Sequence, residues 1–209
     1  MMRRAIVVAT RNRGKLAELR PMLEAVGFDV IDLDAAGLAE DAAAEEAVEA
    51  FATFEENAIA KGRYYRTLLG RPVVADDSGL AVDALGGAPG VRSRRWAVDQ
   101  GAVAASDAAN NRTLARAIHG MEAPRAAFVC AAAYCDGSYE AVERGVVRGR
   151  LVAAARGEMG FGYDPHFVPD EGDGRTFGEM SAGEKAALSH RARAFQALLE
   201  RIGSAPRRD

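Results

Sequence analysis

Arg4-Ala5-Ile6-Val7-Val8-Ala9-Thr10 is the stretch whose reading decides the fold. Ile6, Val7 and Val8 are stiff β-branched side chains in a short apolar run that stops on polar residues, the pattern of a buried strand. After the loop Arg11-Asn12-Arg13-Gly14, Leu16, Leu19 and Leu23 recur at helical spacing, so an amphipathic helix is expected to end near Gly27. Pro21 counts against it, because a proline inside a helix forfeits a hydrogen bond. Phe28 to Leu33 reads as a second strand. Thr53-Phe54-Glu55-Glu56 is a capping box that opens a helix through Leu69, stopped by Gly70. Pro72 to Ala75 is a third strand, expected to halt at Asp76-Asp77-Ser78-Gly79. Ser106 to His119 reads as a helix, and Ala126 to Tyr134 and Tyr139 to Leu151 as a hairpin turning at Asp136-Gly137. Ser181-Ala182-Gly183-Glu184 is a second capping box, opening a final helix toward Ile202. Helices interleaved with strands, plus one hairpin, give an α/β fold with a mixed sheet.

The chain has 209 residues, 49% hydrophobic and 27% charged, enough for one domain with a packed core and too apolar for a disordered chain. A single domain over residues 1–203 is expected, followed by a disordered tail over 204–209. With Lys+Arg 27 against Asp+Glu 30, the net charge of −3 exerts no global pull toward nucleic acid or an anionic membrane. Any phosphate chemistry must come from local basic clusters. No apolar run approaches the roughly 20 residues of a spanning helix. Met1-Met2-Arg3-Arg4 imitates the basic start of a signal peptide, but the apolar part, Ala5 to Ala9, is too short for one. Cys130 and Cys135 share one apolar run without CxxC spacing, which suggests neither a disulfide framework nor a zinc site. A cytoplasmic protein is the expectation.

Four segments carry candidate chemistry. Thr10, Asn12, Gly14 and Lys15 lie where a strand passes into a helix, and backbone donors at a helix N-terminus favour an anion. Lys15 adds a mobile point charge suited to phosphate. This is no P-loop, which requires Gly where Ala9 stands and Ser or Thr where Leu16 stands; a solvated turn is the alternative. The adjacent carboxylates Asp76 and Asp77 repel each other, an arrangement that goes with a hard cation nearby. Consecutive strand residues point to opposite faces, so only one faces a site unless the chain turns there, which Gly79 permits. The alternative is a turn-forming tetrapeptide. In Gly160-Phe161-Gly162-Tyr163-Asp164-Pro165 the glycines let a flat ring lie against the loop, although such loops also serve packing. Lys185 and His190 are separated by roughly 140° on a straight helix, so they share no face unless the helix breaks or they touch different parts of one ligand. His119, His166 and His190 show no metal-ligand spacing.

Taken in order, Thr10-x-Asn12-x-x-Lys15-x-x-Glu18, Thr53-Phe54-Glu55-Glu56-Asn57-Ala58, Ala75-Asp76-Asp77-Ser78-Gly79-Leu80, Leu85-Gly86-Gly87-Ala88-Pro89-Gly90-Val91-x-Ser93-x-Arg95, Gly160 to Pro165, and Glu184-Lys185 ahead of Ser189-His190-Arg191 resemble the inosine triphosphate pyrophosphatase family over nearly the whole chain. The resemblance implies hydrolysis of ITP, dITP and XTP to the nucleoside monophosphate and pyrophosphate, cleansing the nucleotide pool. It also implies Mg²⁺, a homodimer, and an elongated mixed sheet with helices on its faces and a substrate cleft between two lobes. By this resemblance Thr10, Arg11, Asn12, Arg13, Gly14 and Lys15 match the segment that holds the triphosphate. Asp77 matches the catalytic acid/base and a metal position, and Ser78 a substrate contact. Phe161, Gly162, Tyr163, Asp164, Lys185, His190 and Arg191 match the nucleotide-contacting set around the base. The family's acidic pair ahead of the Thr-Phe segment is here Glu45-Glu46-Ala47-Val48-Glu49-Ala50-Phe51-Ala52, in which Glu49 is the best-aligned second metal ligand and Glu46 the fallback. Met159 replaces the usual small residue before Gly160, and Arg11 and Arg13 add charge that the motif does not require.

Guanidinium offers only donors, so Arg191 suits the six-carbonyl of hypoxanthine or xanthine and meets adenine's amine donor against donor. Two other classes remain open: a pyrophosphatase for other modified nucleotides, and a nucleotide-binding regulator without catalysis. A nucleic-acid role for Arg92, Arg94 and Arg95 fits the acidic charge balance poorly.

Overall fold

The computed structural model describes residues 4–204. Of the expected tail, Ser204 is helical and residues 205–209 lie outside the described residues. Six strands form one sheet: β1 (Arg4–Ala9), β2 (Phe28–Asp32), β3 (Val73–Val82), β4 (Arg125–Cys135), β5 (Glu140–Leu151) and β6 (Phe167–Pro169), in the order β2-β1-β3-β4-β5-β6. β1 runs parallel to β2 and β3 while β5 and β6 are antiparallel, so the sheet is mixed, as the alternation of segments predicts. Within the span expected as one domain there are two compact units. The first takes the described parts of Met1–Asp77, Cys130–Gly145 and Arg191–Asp209; the second takes Ser78–Val129 and Val146–His190.

In the first unit, β1 is buried on both faces. Ile6 and Val8 join a core with Leu19, Leu23, Val74 and Phe195, while Val7 and Ala9 join a second core with Leu33, Tyr65 and Val73. That two-sided burial explains a continuous apolar run instead of alternation. α1 (Arg13–Ala25) runs straight through Pro21. Burying Leu19 and Leu23 is worth about 1.5–3 kcal/mol each, which covers the ~3 kcal/mol that an internal proline costs. α2 (Ala42–Val48) arises in the alanine-rich acidic stretch, where no element was expected, and is capped by Asp41 accepting from the Ala44 N–H at 3.0 Å. α3 (Phe54–Leu69) follows its predicted bounds, with Thr53 accepting from the Glu56 N–H and Gly70 left-handed at φ +64°.

The second unit packs Leu80, Val82, Trp96, Leu114, Phe128, Phe167 and Phe177 around the far portions of β3, β4 and β5. α4 (Trp96–Asp99) and α5 (Asp107–Ala117, capped by Ser106) lie in this unit. The final helix departs from expectation. It is broken at Ser189, whose backbone is extended (φ −72°, ψ 145°), into α6 (Ala182–Leu188) and α7 (His190–Ser204). Ser189, His190 and Arg191 are all buried, and a continuous helix would spread three successive side chains over about 200° of its circumference. The extended joint lets all three turn inward. Among the described residues no helix is long and apolar enough to cross a membrane.

Candidate active site

β3 does not stop at the acidic pair; it continues to Val82, with Asp76 through Gly79 inside it. The expected strand end with a turn at Gly79 is therefore corrected. Gly79 serves close approach instead: a Cβ there would collide with the Ser93 hydroxyl and the Gly90 carbonyl oxygen. The same hydroxyl accepts from the Leu80 N–H at 2.9 Å and donates to Gly90 at 2.7 Å.

Strand alternation sends the two carboxylates to different partners. Asp76, 1% exposed, meets the Lys15 Nζ at 2.9 Å and the Arg191 Nε at 3.3 Å. Burial alone pushes this carboxyl up, but Lys15, Arg191 and Lys61 outweigh it and hold it well below the ordinary carboxylate range. Asp77, 7% exposed, accepts from the Asn57 Nδ2 at 3.0 Å. Burial pushes it up, Lys61 and Lys15 pull it down, Glu49 opposes them, and the net position is above the ordinary range. Neighbours on one strand are thus tuned in opposite directions, one as a permanent anion and one as the more basic carboxylate.

Lys15 is delivered by the turn at the start of α1. The Asn12 side chain caps that helix by accepting from the Lys15 N–H at 3.1 Å, and the Asn12 N–H donates to the Thr10 hydroxyl at 3.2 Å. Gly14 is the second helical residue and Arg13, the first, is exposed. The guanidinium of Arg11 is committed elsewhere, to Asp34 at 2.7 Å, Glu45 at 3.1 Å and the Ala39 carbonyl at 2.9 Å. Arg191, read from the sequence as a donor to a purine carbonyl, is 2% exposed and ion-paired to Glu18 of α1 as well as to Asp76. Its first task is to tie α1 and α7 to β3.

Glu49 caps the C-terminus of α2 and pairs with Lys61 of α3. Burial pushes its carboxyl up, but the charge and hydrogen bond of Lys61 leave it below the usual range. Glu46, one turn earlier, is exposed. Asn57 and Lys61 were not singled out as site residues. They lie four positions apart on α3, hence on one face, and Asn57 also brackets Phe51 by accepting from its N–H at 2.9 Å and donating to its carbonyl at 3.3 Å. The signal was available: Asn57 belongs to the Thr53-Phe54-Glu55-Glu56-Asn57-Ala58 motif, and Lys61 is its neighbour one turn on along that face.

In the second unit, Phe161 to Asp164 form a rigid loop. Asp164 accepts from the Phe161 N–H at 2.8 Å, and α5 holds Gly162 twice, Asp107 accepting from its N–H at 2.8 Å and Asn111 donating to its carbonyl at 3.0 Å. Gly160, at φ +75°, is required because a Cβ would strike the Asp164 carboxylate. Asp164 and Lys185 form a buried ion pair, and the Lys185 ammonium lies 4.5 Å from the centre of the Phe161 ring, within cation–π range. Tyr163 points inward, its hydroxyl donating to the Ser93 carbonyl at 2.8 Å, so its ring supports the loop. His190 stacks on Phe128 at 4.7 Å with the planes 8° apart. Ser78 is a half-buried residue of β3 and Met159 is 53% exposed. In the basic run, Arg92 is held by Asp99 at 2.8 Å.

A mixed sheet whose central strand carries two oppositely tuned carboxylates among buried cations marks an α/β protein built to handle a polyanion. The Ham1 family model matches residues 6–201. The chain is 47% identical to the dITP/XTP pyrophosphatase of Mycolicibacterium paratuberculosis over 93% of both chains, and 44% identical to that of Ralstonia nicotianae over 95% of this chain and 96% of the relative. Among solved structures, the HAM1 protein of Coxiella burnetii superposes with a TM-score of 0.81 at 33% identity, covering 97% of this chain and 100% of that one. A nucleoside-triphosphatase / dITP/XTP pyrophosphatase from Mycobacterium abscessus superposes with a TM-score of 0.70 at 41% identity, covering 93% and 98%. This chain belongs to the Ham1 family.

Proposed function

We propose that this protein is a nucleoside triphosphate pyrophosphatase that hydrolyses deaminated purine nucleotides (dITP, ITP and XTP) to the monophosphate and pyrophosphate. The observation that carries the reading is the pair of adjacent buried carboxylates of β3, Asp76 held by Lys15 and Arg191 and Asp77 by Asn57, with Lys61 on the same face of α3 as Asn57. The relatives' shared activity supports it. Pyrophosphate as leaving group places attack by water at the α-phosphorus, where positioning and charge neutralisation do most of the catalysis. Asp77, held in place by the Asn57 side-chain amide, orients that water and takes its proton. Asp76, sealed as a permanent anion, holds Lys15 for the triphosphate. The segment from Thr10 to Lys15 supplies backbone donors, with Arg11 acting through its backbone and Arg13 through its exposed charge.

The donor set fits a hard divalent cation. Glu49 and Asp77 are largely desolvated carboxylates that repel each other, the condition a dication relieves, and Mg²⁺ accepts one or two protein carboxylates. Glu49, drawn in by Lys61, suits this role better than the exposed Glu46. When bound, Mg²⁺ supplies charge neutralisation on the phosphate oxygens. Ser78, Phe161, Gly162, Tyr163, Asp164, Lys185, His190 and Arg191 make up the set for the nucleoside. Phe161 offers a ring face, Tyr163 and Asp164 hold the loop in shape, and the cationic donors select a six-carbonyl over an amine by a factor of roughly 10⁴. We place the enzyme in the cytoplasm as a homodimer, residues 1–203 serving as one catalytic domain, with neither nucleic acid nor membrane as partner. Steady-state kinetics on ITP, XTP, GTP and ATP, with and without Mg²⁺ and with pyrophosphate detected apart from orthophosphate, test it. Mg²⁺-dependent pyrophosphate release from ITP and XTP, and little from ATP, is expected. Tight ITP binding without turnover would mean a regulator instead.

A further inference from the structure

Lys61 is a buried cation that lies outside the sequence motifs and takes no part in binding the nucleotide in the chemistry above. Its side chain is 12% exposed and forms an ion pair with Glu49. It stands on the face of α3 from which Asn57 grips Asp77, and its charge also acts on Asp76 and Asp77. The other two central cations have structural partners of their own: Lys15 lies against Asp76, and Arg191 bridges Asp76 and Glu18. Of the three, Lys61 is paired to Glu49, a carboxylate assigned to the metal.

We propose that Lys61 is a resident counter-cation of the Glu49–Asp77 pair, holding Glu49 in place before metal arrives and yielding its oxygen to the divalent ion. The inference rests on the metal reading above. The carboxylates of Glu49 and Asp77 repel each other, and the Lys61 ammonium offsets part of that repulsion until a metal does. Lysine suits the task because its compact charge sits on a flexible four-carbon stem and can swing off Glu49. The consequence is antagonism. The ammonium occupies a metal ligand and repels the incoming dication, so the site is kept weak toward free metal.

Calorimetric titration of the nucleotide-free, full-length protein with MgCl₂ reads this directly. Lys61→Gln is expected to bind Mg²⁺ at least about tenfold more tightly than wild type, because a like charge near the ion is removed. Lys61→Arg, which keeps the charge, is expected to bind no more tightly than wild type, and Asp77→Asn to lose binding. Lys61→Gln binding no more tightly than wild type while Asp77→Asn loses binding overturns the counter-cation and leaves the metal reading standing. Asp77→Asn binding as tightly as wild type overturns both. A second measurement needs no variant: acylation of the Lys61 amine in wild type, followed by peptide mass spectrometry, should accelerate when Mg²⁺ is added. An unchanged or slower rate overturns the displacement.

Discussion

The acidic pair of β3 and the Asp164–Lys185 pair both bury carboxylates against cations, yet their surroundings differ. Around Asp76 and Asp77 there are three cations, two further acids and an amide. Around Asp164 there is one lysine, two aromatic rings and a glycine-spaced backbone. The first arrangement holds many charges whose balance can be altered by a polyanion and a cation. The second is a closed pair that stiffens a loop, so that ring faces and backbone groups present a fixed shape. Charge multiplicity goes with chemistry, and a single satisfied pair goes with recognition.

The contrast predicts where substitutions hurt and how. Asp77→Asn should show the largest effect, a loss of about 10²–10⁴-fold in kcat with nucleotide affinity largely kept, measured by pyrophosphate release beside calorimetric binding. Turnover near wild type would break the assignment of chemistry to the first region. Asp76→Asn should act mainly on stability, by about 3–5 kcal/mol in urea unfolding, because Lys15 and Arg191 lose the buried charge that compensates them. The pH dependence follows from the same residue. Its folded carboxyl is held below the unfolded value of about 4, so its contribution is complete above that pH and is lost as pH falls toward the folded value. Acid unfolding of Asp76→Asn should accordingly be shallower than that of wild type.

Arg191→Ala sharpens the comparison further, since it touches both roles. It should destabilise by leaving Glu18 and Asp76 underpaired, and it should narrow the ITP-to-ATP ratio of kcat/KM by about tenfold. A lower stability with an unchanged ratio would confine Arg191 to the framework. The smallest effect belongs to the recognition loop's support: Tyr163→Phe should cost about 1–3 kcal/mol in unfolding, by leaving the Ser93 carbonyl without its donor, and leave kcat nearly unchanged.

Much of this was readable in the chain. The apolar run Arg4–Ala9, the caps Thr53 and Ser181, and the hairpin at Asp136-Gly137 are local signals, and local hydrogen bonds enforce them. That the helix breaks, and at Ser189, was only one of the alternatives the Lys185–His190 spacing left open, and the continuation of β3 through the acidic pair was not readable. Both depend on distant groups: inward burial of three successive side chains in one case, and cations from α1, α3 and α7 in the other. Asn57 and Lys61 escaped notice for the same reason, since a helix face acquires a role only when something packs against it.

By itself, then, the sequence determined the alternation of strands and helices, their caps and the family motifs, because each of these is set by neighbours within a few residues. Only the tertiary structure decided that Asp76 is a sealed anion and Asp77 the more basic partner, that Arg11 and Arg191 are held by carboxylates, and that Lys61 stands beside Glu49. Coulomb energy and desolvation depend on distance through space, and residues 12 to 173 positions apart along the chain meet there.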